Sequence, residues 1–157
     1  MNNRQRAIDQ KATAYHEAGH ALAAEHFGLK WWAEIWPTGE QPTVFDRAFI
    51  GKTGYEKTTR FKLCVIAHAG PLAEVFRDRP EFDYYSEGRW EYFEAREDFF
   101  ESSPTDKSGI LGHPQGWRAC ALARKLILTR SKDLEHIAGI LIRKGCTYSY
   151  TWKGDSV

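Results

Sequence analysis

One segment with a polar centre constrains the fold of this chain more than any other feature. Residues 14–27 are rich in Ala, and they stop at Gly28, a residue suited to the left-handed position that follows a helix C-terminus. The residues His16, Glu17 and His20 lie inside this run. Because the two histidines are four positions apart, a helix places them one turn apart on the same face. The segment therefore predicts an α-helix that presents two imidazoles together.

The spacing of these three residues is typical of a zinc site with a general base. Two imidazoles one turn apart can both reach a Zn²⁺ ion at Zn–N distances of about 2.0–2.1 Å. Glu17 lies about 100° around the helix from His16, where it can hold a water molecule without ligating the metal. The alternative is a helix with two surface histidines and a chance HExxH motif. Gly19 weakens a helix relative to Ala, so we expect another backbone segment to approach it closely.

The next stretch of the chain predicts two strands and a helix. Residues 29–36 and 44–55 are aromatic or β-branched between turn residues, and we expect them to be antiparallel neighbours. Residues 58–77 have apolar positions at helical spacing. Pro71 lies inside this helix and is expected to break it or kink it into two pieces.

The later part of the chain predicts three helices and a final strand. We expect an acidic amphipathic helix beyond Pro80 and a largely buried helix over residues 117–128. A last helix should begin with Ser131 as its N-cap and end at Gly145. The tail then alternates, and its Cys, Tyr and Trp residues share one side of a strand whose aromatic face needs a neighbour. These elements predict a single domain over residues 1–157 that is α+β and mainly α-helical, with a small antiparallel sheet.

Composition narrows the class of protein. The 157 residues are 42% hydrophobic and 27% charged with a formal net charge of +1, which is a soluble globular composition without the basic excess of a nucleic-acid or membrane-surface binder. The charge is uneven, acidic over residues 81–101 and basic from Lys107 onward, as expected of two solvated faces that attract each other. Cys64, Cys120 and Cys146 form neither a disulfide framework nor a zinc knuckle. With no apolar leader or membrane span in the sequence, we predict a cytoplasmic protein.

A second motif resembles the end of a phosphate-binding loop. Residues 46–53 end in Gly-Lys-Thr, but Asp46 stands where the leading Gly should be. No helical pattern follows Thr53 directly. We therefore predict no nucleotide binding.

The histidine motif and the segments after it resemble the FtsH-type peptidase domain, the zinc protease half of the membrane-anchored AAA+ proteases. Residues 14–22 (AYHEAGHAL) are similar to the signature helix of that family. Four further segments follow in the family's order, namely residues 34–39 and 51–55, similar to its first two strands, 69–74, similar to a small-residue helix, and 119–124, similar to a buried helix after the third ligand. The resemblance covers about residues 13–127 and implies a zincin-like fold, a bound Zn²⁺ and hydrolysis of peptide bonds. Family members carry an ATPase module and a membrane anchor ahead of this domain, and we expect no unfoldase in this chain, which begins 15 residues before the motif.

The resemblance also implies the third zinc ligand, an Asp at the start of a helix shortly before the buried helix. Asp106, preceded by small and polar residues, has this setting. A gapless alignment back from Ala119 instead arrives at Gln115, a poor ligand for zinc. Four other candidates remain open, and they are His113, Glu74, Asp98 and Glu101. Asp106 is also a plausible plain helix N-cap.

Two further interpretations concern the surroundings of the metal. His68 lies on the apolar stripe of its own helix, which indicates either a satisfied core histidine or a group that supports the metal ligands or an oxyanion. The strand over residues 31–36 is expected to bind an extended peptide by strand addition, as the resemblance also implies.

The sequence therefore predicts a zinc-dependent metallopeptidase that acts on a polypeptide substrate. His16, His20 and Asp106 are predicted to hold the zinc, and Glu17 is predicted to activate water. One alternative is a catalytically silent HExxH-fold module whose metal or groove recognises a protein partner. Another is a purely structural zinc, which needs four protein ligands and no open position. The oligomeric state is left open.

Overall fold

The computed structural model describes residues 2–39, 47–78 and 115–156. In chain order its elements are α1 (Asn3–His26), β1 (Trp31–Pro37), β2 (Phe49–Tyr55), α2 (Arg60–Asp78), α3 (Gly116–Thr129), α4 (Ser131–Lys144), β3 (Cys146–Tyr148) and a 3₁₀ turn (Trp152–Gly154). The fold is α+β and mainly α-helical with a small antiparallel sheet, as predicted. The predicted acidic helix beyond Pro80 lies outside the described residues.

Helix α1 begins well before the predicted start at Ala14. The side chain of Asn2 caps it by accepting a hydrogen bond from the backbone N–H of Gln5 at 2.8 Å. Its first turns are exposed and polar, so they carry no apolar periodicity that could have announced them. The helix ends at His26, and Gly28 follows with a φ of +68°.

The three strands pair in the order β2-β1-β3, and both pairs are antiparallel. The predicted pairing of the first two strands is confirmed, with Ile35 opposite Gly51. On its other side β1 pairs with β3, where Trp32 lies opposite Tyr148. Both edges of β1 are therefore occupied, and the predicted strand addition to residues 31–36 is wrong because that strand is central. In the described part of the sheet the edge strands are β2 and β3.

Helix α2 continues through Pro71, so the predicted division of this helix is wrong. Proline removes one backbone hydrogen bond and strains the preceding turn. Every residue from Cys64 to Phe76 is buried, and we attribute the continuity of the helix to this packing.

Helices α3 and α4 form where the sequence predicts them, but each differs from the prediction in one respect. Helix α4 ends at Gly145, whose φ of +81° confirms the predicted left-handed cap. Its N-cap is Arg130 rather than Ser131, and no side chain caps the helix backbone there. Trp117 of α3 is 70% exposed, although that helix was expected to be largely buried.

The tail forms a shorter strand than predicted. Strand β3 ends at Tyr148, and a turn follows. Thr147 points inward, whereas Tyr148 and Tyr150 are 41% and 81% exposed and stack on each other with ring centroids 5.5 Å apart. Only Trp152 of the predicted aromatic face is buried. The prediction failed because the chain turns after Tyr148 instead of continuing the alternation.

Helix α1 lies at the centre of the described fold, in contact with the other three α-helices and with β1 and β2. Its second half is lined by small side chains that are fully buried, among them Ala14, Ala18 and Ala21. Small side chains let neighbouring backbones come close, which brings the polar residues of α1 against two other elements. Among the described residues, no helix combines the length and apolar character that crossing a membrane requires.

Candidate metal centre

Helix α1 carries its buried polar side chains on two sides. His16 and His20 face α2, and they are 1% and 4% exposed. Thr13 and Glu17 face β2, and they are also buried. The two sides follow from helical spacing, because positions 16 and 20 form one row and positions 13 and 17 form the adjacent row.

The two histidines direct the same ring nitrogen at a common point. Their Nε2 atoms lie 2.8 Å apart. Nδ1 of His20 lies 2.6 Å from the backbone carbonyl oxygen of Ile66, which can only accept, so this nitrogen carries the proton. Nδ1 of His16 lies 2.9 Å from Oε1 of Glu74 and donates to the carboxylate. With both Nδ1 atoms donating, both Nε2 atoms carry lone pairs, and a cation bound by both nitrogens would stabilise this arrangement.

Gly70 of α2 packs directly against this pair and leaves no room for a side chain there. A Cβ at position 70 would lie 2.5 Å from Nε2 of His16 and 2.5 Å from Nε2 of His20. Any other residue would therefore press on both imidazoles at the nitrogens that would bind a metal. Two neutral imidazoles with their other nitrogens held by acceptors are a suitable donor set for Zn²⁺. The types of donor fit the predicted ion, and the two Nε2 atoms, 2.8 Å apart, would have to separate to roughly 3.3 Å for tetrahedral coordination at about 2.05 Å.

Gly19 has the close backbone neighbour that its position in the helix predicted. A Cβ there would lie 2.3 Å from the backbone oxygen of Ala69 and 2.7 Å from the Cβ of Ala73. Helices α1 and α2 are thus in backbone contact beside the histidines, and the prediction is confirmed. This contact sets the distance between the imidazoles and the acceptors on α2.

Glu74 supports His16 from the side away from the metal position. Its carboxylate also lies 3.5 Å from Nη1 of Arg47. Burial raises the pKa of the Glu74 carboxyl above its ordinary value, and the positive charges of Arg47 and Arg77 oppose that rise. Because the two nitrogens of an imidazole point to opposite sides of the ring, a carboxylate on Nδ1 of His16 cannot ligate an ion at Nε2. In this structure Glu74, one of the alternative third ligands, therefore contacts His16 at Nδ1 and does not face the metal position.

Glu17 is fixed by strand β2. The hydroxyl of Thr53 donates to Oε2 of Glu17 at 2.6 Å. Gly51 provides the room, because a Cβ there would lie 2.6 Å from Cγ and 2.9 Å from Oε1 of the same side chain. One turn earlier, the hydroxyl of Thr13 donates to the carbonyl of Phe49 at 3.2 Å and ties α1 to the start of β2. Strand β2 therefore orients the carboxylate of Glu17, whereas α2 provides the acceptors for the two histidines.

The other predicted site residues are distributed as follows. Residues 2–39, 47–78 and 115–156 contain no group of three or more His, Cys, Asp or Glu side chains that could hold a metal ion. The predicted third ligand and three of its alternatives lie outside the described residues, and they are Asp106, His113, Asp98 and Glu101. Gln115 lies at the N-cap of α3.

His68 lies on α2 and is 5% exposed. It is two positions from both Ile66 and Gly70, which places it on the opposite side of the helix from the row that meets the histidines. The supporting contacts for the two imidazoles come instead from Ile66 and Glu74.

Several residues of the site were missed by sequence reasoning. Gly51 and Gly70 had a readable signal, since glycine inside a strand or helix often marks close approach of another group. Thr53 carried no sequence signal of its own, and only the adjacent Gly54 marked this part of the strand. The carbonyl of Ile66 could not be found at all, because every residue has one.

No protein-family model matches the chain, and no curated protein is significantly similar to it. The case for a function therefore depends on the geometry of the site.

Proposed function

We propose that this protein is a zinc-dependent metallopeptidase, related to the FtsH-type peptidase domains, that acts on polypeptide substrates in the cytoplasm without nucleotide. The observation that carries the proposal is the pair of Nε2 atoms 2.8 Å apart, each on a ring whose Nδ1 is held by an acceptor on α2. This arrangement matches the support that metal-ligating histidines receive in proteins.

His16 and His20 would hold the ion, with Asp106 as the proposed third protein ligand. When bound, Zn²⁺ supplies a Lewis acid that polarises the scissile carbonyl and lowers the pKa of water toward about 7. Glu17 accepts one proton from the attacking water as the new C–O bond forms. It then returns that proton to the nitrogen of the leaving amine as the C–N bond breaks. The carboxylate is suited to this role because it is buried and already oriented by the hydroxyl of Thr53.

The first test is the zinc content of the purified protein, measured by mass spectrometry under chelator-free conditions. We expect one zinc per chain in the wild type, and loss of the metal in His16→Ala and Asp106→Ala. Gln115→Ala is the matched control for the third ligand and should keep its zinc. Absence of zinc from the wild type would overturn the proposal.

The second test separates a peptidase from a binding module. Glu17→Gln should keep its zinc and lose cleavage of an unfolded protein such as casein by about 10²–10⁴-fold, the range attributed to a general acid–base group. If Glu17→Gln retains the biological activity while His16→Ala abolishes it, the protein is a metal-dependent binding module instead.

A further inference from the structure

The face of the sheet that points away from α1, here called the outer face, has no side chain at Gly54. The indole ring of Trp32, from the neighbouring strand β1, occupies the space above this glycine. Gly54 lies opposite Trp32 of β1. A Cβ at position 54 would lie 2.4 Å from both Cε2 and Nε1 of that indole. Since neighbouring strands are about 4.8 Å apart, the ring of Trp32 reaches across β2 toward the edge of the sheet. Nζ of Lys52 lies 5.7 Å from the ring centroid, on the same outer face.

Gly54 lies close to the candidate metal centre. Thr53, the neighbour of Gly54, donates to the carboxylate of Glu17, and Gly51 lies against the same side chain. At about 3.3 Å per residue, Gly54 is roughly 10 Å along the strand from Gly51. In the described part of the chain β2 pairs only with β1, so its other edge presents backbone donors and acceptors.

We propose that the indole of Trp32, uncovered by Gly54, is a specificity subsite for a large apolar or aromatic side chain of an extended polypeptide that adds to the edge of β2. The inference rests on the proposed function for its link to bond cleavage. Backbone hydrogen bonds would supply affinity that depends little on sequence, and the pockets for alternate side chains supply specificity. The side chain directly beside Gly54 would meet the indole instead of a neighbouring β2 side chain, because glycine has none. Its residue lies within about three positions of the scissile bond at the spacing given above.

Among the described residues of β1 and β2, no other position on the outer face is equivalent. Trp36 is also on β1 and is 38% exposed, but it lies opposite Ile50, which carries a side chain where Gly54 has none. Glu34 lies opposite Lys52. Trp36 is therefore the matched control for Trp32, with the same residue type on the same strand and face.

The test uses Glu17→Gln protein, which is expected to bind peptides without cleaving them, and short positional-scanning peptide mixtures labelled with a fluorophore. Binding is measured by fluorescence anisotropy. We expect one peptide position to favour Phe, Trp or Leu over Ser by about three- to tenfold, the value of an aromatic contact. Trp32→Leu in the same background should reduce this preference to less than twofold, and Trp36→Leu should leave it unchanged. Circular dichroism melts check that each variant is folded.

The outcomes separate the subsite from the peptidase. The subsite would be overturned if Trp32→Leu showed the same peptide preference as the Glu17→Gln parent, or if Trp36→Leu lost that preference to the same extent. This holds even if the wild type cleaves protein. A preference that depends on Trp32 in a protein whose wild type does not cleave would uphold the subsite and overturn the peptidase. Where the wild type does cleave, the positions of the cuts should show the same aromatic preference, and Gly54→Ala should weaken it by moving the indole.

Discussion

The two sides of helix α1 hold their polar residues by different means. On the side of α2, the backbones of the two helices touch at Gly19, and each imidazole has one nitrogen bonded to α2. On the side of β2, the contacts are made by hydroxyl groups, from Thr13 to the strand backbone and from Thr53 to Glu17. The contacts with α2 depend on tightly packed backbones that cannot shift. The contacts with β2 depend on side-chain hydrogen bonds to an edge strand of the described sheet. We therefore expect stability and metal affinity to depend on the α2 side, and turnover to depend on the β2 side.

The largest effect should come from filling the contact between the two helices. Gly19→Ala places a methyl group 2.3 Å from the backbone oxygen of Ala69, and we expect it to lower the free energy of unfolding by about 3 kcal/mol, the upper range for an overpacked core. That corresponds to roughly a hundredfold change in the ratio of folded to unfolded protein. Urea denaturation followed by circular dichroism measures it.

Gly116→Ala is the control for this substitution. Gly116 is also helical, and a Cβ there would have nothing within 4 Å, so we expect no loss of stability. Equal stability of the two variants would mean that the helices are not in backbone contact at Gly19.

An intermediate effect is expected from removing the carboxylate behind His16. Glu74→Ala should weaken zinc binding by about 10- to 100-fold, because the imidazole loses the acceptor that fixes its orientation. Glu74→Gln keeps an acceptor oxygen and should recover part of the affinity. Competition with a zinc chelator measures both. Wild-type affinity in Glu74→Ala would show that the ligands do not depend on their contacts with α2.

The smallest effect is expected on the β2 side. Thr53→Val keeps the shape of the side chain and removes the hydroxyl that donates to Glu17, so cleavage should fall by about tenfold, the lower end of the range for one hydrogen bond to a charged group. Zinc affinity should not change. Thr129→Val, which removes a hydroxyl bonded to the carbonyl of Lys125 at the end of α3, should leave cleavage intact. A loss of zinc in Thr53→Val would contradict the separation of the two sides.

The parts of the fold that sequence predicted are those that local chemistry determines. The HExxH helix, the antiparallel pair of strands and the stop at Gly145 each depend on residues close together in the chain. The failures depend on tertiary contacts. Helix α2 continues through Pro71 because the residues around it are buried by other elements. Strand β1 is central because it pairs with β3, which lies far along the chain.

The candidate site divides in the same way. Side chains at fixed spacing on one helix, His16, Glu17 and His20, could be identified from their types. Their partners on α2 and β2 could not, because an acceptor such as the Ile66 carbonyl is defined by where the helices meet. By residue type alone Glu74 is a candidate ligand, and only the position of its carboxylate on Nδ1 of His16 assigns it the supporting role.

The late arrival of β3 has a consequence for the order of folding. The residues that form α1, β1, β2 and α2 have all been synthesised once the chain reaches Asp78. Tyr148, the partner of Trp32 on β3, is synthesised much later. Contacts between residues so far apart close slowly, and a chain emerging from the ribosome folds its N-terminal part first. We expect the paired histidines to be assembled on a nascent chain while one side of β1 is still open to other strands. A translational pause at that stage should leave the imidazoles in place and one edge of β1 without its partner strand, and an unpaired strand edge is prone to misassembly.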